Sequence, residues 1–437
     1  MDVGLLTILL FGSLFLLLAL GMPVAFSLAS VAVVFSLLLW GVKALYIIPT
    51  QVLGQMIDPI LIAVPLFVLM AHVLQRSGIA DDLYETMYSW LGGLRGGLAM
   101  GTVWIGTVFA AMTGGTTPGT LSMGLIALPA LLKRKYNKTI ALGCISAGGV
   151  LGIVIPPSVI MIIFATLTKV SVGRLFFGGV IPGLLIASMH AAYIGIRCFF
   201  QPNMGPAIPR EERVSLRKKV ISLKKVVLPI GLILLVLGSI YTGAATPTEA
   251  ASIGALGAFV CAAVHGRFNR QMLFGATLGT LKLTGMIMWI LAAAACFNAL
   301  YISLGGQRFI IEVISGLGVN PWVTLIGMQL SLFFFGMIMD DYAIVMLCGP
   351  IYTPIIIALG FDPIWFGILF VLNMQMAYLT PPFGYNLFLM KSIVPEGVTM
   401  GDIYRSIVPF VAIQGLGLAL VMIFPQLALW LPSMMIK

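Results

Sequence analysis

The chain has 437 residues, 60% of them hydrophobic and 9% charged, with a formal net charge of +10 and a mean hydropathy of +1.11. A soluble surface wants roughly a quarter or more of the residues charged, so this composition excludes an ordinary water-facing domain and places the chain in a bilayer. The basic residues flank apolar stretches and do not gather on a polar module, which argues against nucleic-acid binding as the source of the charge.

The N-terminus opens Met1-Asp2 and runs straight into apolar sequence, with no basic segment or small-residue cleavage site, so the first helix is expected to be retained. Apolar stretches of about twenty residues predict spans near 4–20, 22–41, 59–76, 139–168 and 178–200, then 227–243, 246–264, 272–300, 363–393 and 406–432. Two stretches, 96–133 and 319–358, are too long for one span and are broken near the middle. They read as re-entrant hairpins. Residues 201–225, with Pro202, Pro206, Pro209 and seven basic residues, form the linker between an N-terminal half (1–200) and a C-terminal half (226–437).

The expected fold is therefore an all-α polytopic membrane protein of about ten transmembrane helices and two hairpins. With the hairpins counted as zero crossings, 19 basic residues fall on one side, including Lys133, Arg134, Lys135, Lys138 and the linker cluster. Only Lys43, Lys169, Arg174, Arg308 and Lys437 fall opposite, which puts the rich side in the cytoplasm and both termini outside.

Prolines then show a duplication. Pro23 and Pro247 are 224 apart, Pro129 and Pro354 are 225, Pro156-Pro157 and Pro381-Pro382 are 225, and Pro182 and Pro409 are 227. An ordered series with so little drift means two copies of one unit. Five spans per half give the copies inverted orientation, and inverted repeats with broken helices are the pattern of a secondary transporter with a midplane site.

The first hairpin tip reads Ala110-Ala111-Met112-Thr113-Gly114-Gly115-Thr116-Thr117-Pro118 and the second Gly336-Met337-Ile338-Met339-Asp340-Asp341. The matching spans are interrupted at Gly152–Ser158, around Pro156-Pro157, and at Ala377–Asn386, around Pro381-Pro382. Tandem prolines free carbonyl oxygens, and unwound backbone in a bilayer needs protein or a water-filled cavity to satisfy it. Carbonyl and hydroxyl oxygens are hard ligands suited to alkali cations, while half-helix N-termini favour an anion. Each tip is expected beside the break of its own half.

Other polar residues carry less. Asp340 and Asp341 admit three roles: balancing cation charge, capping the next half-helix, or binding a substrate hydroxyl. Glu249 reads as a first-turn partner of its helix dipole and Asp58 as water-facing. The three histidines read as structural, and the five dispersed cysteines as packing residues. Segments 79–92 and 396–405 mix apolar and charged positions and are expected as in-plane arms or surface connectors. Zinc-hydrolase, nucleophile and phosphate-loop motifs are absent, so an enzyme or a direct ATP drive is not expected.

The segments Gly21-Met22-Pro23-Val24-Ala25-Phe26, Val64-Pro65-Leu66-Phe67, Ile155-Pro156-Pro157-Ser158, Ile181-Pro182-Gly183, Thr246-Pro247-Thr248-Glu249-Ala250 and Thr380-Pro381-Pro382-Phe383-Gly384-Tyr385-Asn386-Leu387 resemble the large membrane subunit of tripartite ATP-independent periplasmic (TRAP) transporters. The resemblance covers essentially the whole chain. It implies a sodium-driven elevator of the ion-transporter-superfamily type in the bacterial inner membrane, importing a small organic anion. The implied partners are a four-helix small membrane subunit and a periplasmic substrate-binding protein, and no cofactor beyond the sodium ions is implied. The rival within transport is a self-sufficient cation-coupled carrier or antiporter of a related inverted-repeat family.

Carried onto this chain, the resemblance implies a first sodium site at Ala110, Thr113, Gly152, Ile155 and Pro157, and a second at Gly336, Ala377, Thr380 and Phe383. Substrate contacts are expected from Thr113, Thr116, Ser158, Asp341 and Asn386. Two departures stand out: such families commonly show Ser-Gly-Ser-Ser where this chain has Thr113-Gly114-Gly115-Thr116, and commonly a glycine at the position of Ala377. The cargo stays open among a sialic acid, a C4-dicarboxylate, a 2-oxo acid and a sulfonate.

Overall fold

The computed structural model describes residues 2–316, 318–382 and 384–435; Phe383 lies outside them. Twenty α-helices and no strands occur among the described residues. The first half contains α1 (Val3–Ala19), α2 (Val24–Trp40), α3 (Ile47–Met56), α4 (Ala63–Arg76), α5 (Ile79–Leu91), α6 (Gly97–Thr113), α7 (Thr116–Lys133), α8 (Lys138–Gly149), α9 (Val159–Thr168) and α10 (Val172–Phe200). The second contains α11 (Leu216–Tyr241), α12 (Pro247–Val264), α13 (Arg270–Ser303), α14 (Gly306–Gly316), α15 (Pro321–Ile338), α16 (Asp341–Ala358), α17 (Pro363–Ala377), α18 (Tyr385–Ile393), α19 (Met400–Ile423) and α20 (Gln426–Ser433). Among the described residues, eight helical segments are long and apolar enough to cross a membrane.

The proline spacing reappears as helix spacing. The starts of α7 and α16, and of α8 and α17, are each 225 residues apart. Local chemistry sets many of these starts: Thr246 and Glu249 form a capping box with Pro247 in the first turn of α12, and Asn137, Asn320 and Asp362 cap α8, α15 and α17.

Each hairpin reaches only as deep as the break in the span that follows it. A four-residue turn joins α7 to α8, so both leave the same face, and the α6–α7 tip meets the end of α8 while α9 continues for ten more residues. The α15–α16 tip likewise meets the end of α17, beyond which lie the nine residues of α18. Lys138 at the start of α8 donates to Gly397 O just past α18, 3.2 Å away. The two broken spans thus run antiparallel, and the hairpins enter from opposite faces. Ion pairs agree with the sides read from charge: Arg134–Glu212 (2.5 Å) and Lys225 with Asp82 (3.1 Å) and Glu85 (2.6 Å) join basic-face segments, and Asp58–Lys169 (3.3 Å) joins two segments of the other face. The hydrogen bond to Glu212 raises the Arg134 guanidinium further above its ordinary value.

The core lies in the broken spans. Residues 140–149 of α8 and 364–375 of α17 are buried throughout, and Phe164 of α9 packs on Phe370 of α17 with ring centroids 5.4 Å apart. By contrast α11 shows most of its apolar surface outward, as a lipid-facing helix does.

Several sequence expectations need correction. Residues 396–405 are no separate arm, because a Thr399–Asp402 capping box starts α19 at Met400. Helix α14, at the position in the second half that matches α5, lies between the span expected at 272–300 and the hairpin expected at 319–358, where no element was expected. The span expected at 227–243 begins at Leu216, so the last ten residues of the predicted linker are helical. The span at 406–432 divides at Phe424-Pro425 into α19 and α20, and α3 adds a helix before Asp58-Pro59.

Candidate functional site

At the first tip, Gly114 has φ +61° and a side chain there would sit 2.7 Å from Pro157 O, so chain direction and close approach both require glycine. Its carbonyl accepts from Val159 N at 3.4 Å. A Cβ on Gly152 would press on the Gly115 carbonyl, 2.8 Å from its carbon. Thr113, Gly152 and Pro157 are thereby brought into one contact region, with Ala110 on the preceding turn of α6 and Ile155 between the latter two. At the second tip Gly336 faces Ala377, where an added Cβ would meet Ala377 Cβ at 2.5 Å, and Asp341 N donates to the Tyr378 hydroxyl. Thr380 follows in the same turn.

The hydroxyl geometry suits a cation. Thr113 Oγ1 donates to Phe109 O (3.0 Å) and Thr380 Oγ1 to Met376 O (2.8 Å). With the proton committed, each oxygen has lone pairs left to offer beside the backbone carbonyls.

The half-helix N-termini divide into two kinds. Ser158 caps α9, accepting from Met161 N (3.4 Å) while donating to Ile153 O (2.8 Å), and Asp340 caps α16 by accepting from Ala343 N (3.0 Å). The N-caps of α7 and α18 are Gly115 and Gly384, which have no side chain to give. These two helices lie together and parallel: Thr120 Oγ1 donates to Asn386 Oδ1 (2.5 Å), and one turn further on Gly124 faces Met390 and Ile393. Two N-termini without a side-chain cap therefore lie on the same side, within about one helical turn of each other in depth, Thr116 on one and Asn386 in the first turn of the other.

Of the residues expected to touch substrate, Thr113 and Thr116 lie at the α6–α7 tip and Asn386 in the first turn of α18, all three buried. Ser158 lies behind the tip, occupied by capping. Asp341 belongs to the other hairpin, connected through Tyr378, whose ring is 6.0 Å from that of Tyr385. Asn386 is committed on both sides, since its Nδ2 also donates to Ser146 O at 3.2 Å. Sequence reasoning missed Thr120, Ser146 and Tyr378, and also the Gln329–Asn373 pair (2.7 Å) that fastens α15 to α17. Isolated amides in apolar spans were the available signal for the last.

The family described as "Tripartite ATP-independent periplasmic transporter, DctM component" matches residues 11–427. The chain belongs to this family. As a TRAP large permease it is 34% identical, over 85% of its own length and 86% of the relative's, to the C4-dicarboxylate TRAP transporter large permease protein DctM of Pseudomonas aeruginosa. It is 30% identical to the sialic acid TRAP transporter large permease protein SiaM of Vibrio cholerae, over 97% and 98% of the two chains. The permease also shares its fold with the YdaH transporter of Alcanivorax borkumensis (TM-score 0.64, 16% identity, covering 96% of this chain and 98% of that one).

Proposed function

We propose that this TRAP large permease is a sodium-coupled importer of a small organic anion in the bacterial cytoplasmic membrane. It would work with a small membrane subunit and a periplasmic binding protein, and would need no cofactor. The observation that carries the reading is the paired seating of each hairpin tip on the break of its own half, beside two parallel helices with uncapped N-termini.

Sodium, as co-transported cargo, would be held at the first tip by oxygens of Ala110, Thr113, Gly152, Ile155 and Pro157, and at the second by those of Gly336, Ala377, Thr380 and Phe383. A carboxylate or similar anion would sit over the N-termini of α7 and α18, near Thr113, Thr116 and Asn386, with Asp341 and Ser158 behind it. Free amides and the positive dipole ends favour that charge. Hairpins, broken spans and the helices packed on them would move as one body against the lipid-facing helices. Relatives of similar identity have names that give dicarboxylate and sialic acid as cargo, so the coarser class, an organic anion, is the one proposed.

The test is uptake into proteoliposomes holding the chain and its partners. Replacing external sodium by potassium is expected to abolish uptake of the anion that the binding protein takes; equal rates in the two salts would refute the reading.

A further inference from the structure

The end of α5, the turn after it and the linker enclose a cleft of about 210 Å³ on the basic face, lined by Tyr88, Ser89, Trp90, Arg213 and Lys219 among others. The linker is a strap, not a loose tether. Its Ile208 N donates to Gly92 O (2.8 Å), its Gly205 O accepts from Gly96 N (2.8 Å), and its Met204 O accepts from Asn137 N (3.0 Å). Helix α5 is fastened to α11 by Thr86 Oγ1 to Ser222 O (3.1 Å) and by Trp90 Nε1 to Lys219 O (3.1 Å). These bonds hold the cleft walls in place.

The cleft is electropositive. Its acid, Glu212, is paired with Arg134 at 2.5 Å. Among the described residues no carboxylate lies within ion-pairing distance of Arg213 or Lys219, although Arg213 Nε is anchored to Ile208 O (3.2 Å) and the Lys219 ammonium stands 6.0 Å from the Trp90 ring centre. Gly93 leaves room for the Arg213 guanidinium, which a side chain there would meet at 3.4 Å. From the cleft, Leu216, Val220, Leu223 and Val227 run along one face of α11, all exposed.

We propose that this cleft binds the phosphodiester head group of an anionic phospholipid, with the acyl chains lying along that apolar stripe. Two unpaired cations, an indole at the head-group level and a continuous apolar track suit a lipid better than a soluble phosphate, which would have no use for the track. Bound there, the lipid would brace the arm and the strap. Through Arg134, which also donates to the Tyr88 hydroxyl (2.5 Å), it would brace the base of the first hairpin. The orientation expected from the charge bias would put this lipid in the inner leaflet; the cleft and its track do not depend on that orientation.

Native mass spectrometry of the full chain titrated with phosphatidylglycerol tests this without any transport step, so its outcome is separate from that of sodium coupling. One retained lipid is expected, with affinity lowered about fivefold or more by Lys219→Gln and by Arg213→Gln. Lys219→Arg should keep it, as should Lys218→Gln and Lys224→Gln, which remove the same charge outside the cleft. Phosphatidylcholine should not be retained, nor should millimolar glycerol phosphate displace the lipid. Equal losses across the glutamine variants, no loss in the cleft pair, equal retention of phosphatidylcholine, or displacement by glycerol phosphate would each overturn the proposal.

Discussion

Substituting Gly152→Ala tests the seating of the first tip on its break. The new methyl carbon would stand 2.8 Å from the Gly115 carbonyl carbon, and neither the methyl nor the backbone carbonyl has a flexible end to swing away. Since carbon atoms pack at about 3.5–4.0 Å, the tip would have to retreat by roughly 1 Å. Overpacking of this kind costs about 1–3 kcal/mol, or about five- to 150-fold in an equilibrium constant. That cost falls on the seated tip, so the apparent sodium affinity of uptake in proteoliposomes should weaken by a factor in that range. The binding protein's affinity for the anion should not change. The companion is Ala377→Gly at the matching position of the second half. There the methyl already faces Gly336, so its removal leaves a small void costing about 1 kcal/mol in stability without displacing the tip. A Gly152→Ala protein whose sodium titration overlays that of the parent would refute the apposition of tip and break.

Other outcomes follow from single contacts. Thr380→Ala removes a hydroxyl whose proton is committed to Met376 O, so sodium dependence should weaken by about two- to tenfold while the competition profile among anions stays the same. Asn386→Ala breaks the link from α18 to both Thr120 and Ser146 O; an unsatisfied buried group costs about 1–3 kcal/mol, and the loss should appear as a lowered melting temperature even without substrate. Trp365→Phe strips the indole donor from Val421 O (2.9 Å), and a similar destabilisation is expected in a thermal unfolding assay.

Much of this architecture is legible in one dimension because the bilayer and proline act locally. Apolar runs must become helices in a solvent without water, and Pro156-Pro157 and Pro381-Pro382 interrupt the two spans in which they lie. The positions of the tips, the breaks and the duplication therefore follow from the chain alone, as does the side on which the cations lie. Periodicity alone did not mark α14, which mixes apolar and charged positions as the first turns of α19 do and is too short to read as a span.

Composition, proline spacing and charge asymmetry determined a duplicated, inverted helical unit with two hairpins and two broken crossings. The tertiary structure alone decided that α7 and α18 lie parallel with uncapped N-termini, that Asn386 is a bridge to a hydroxyl 266 residues away, and that the linker is a strap over the first hairpin. The first set depends on interactions within a few turns of helix, which sequence order preserves. The second depends on which surfaces meet after the halves pack, and sequence distance holds no record of that.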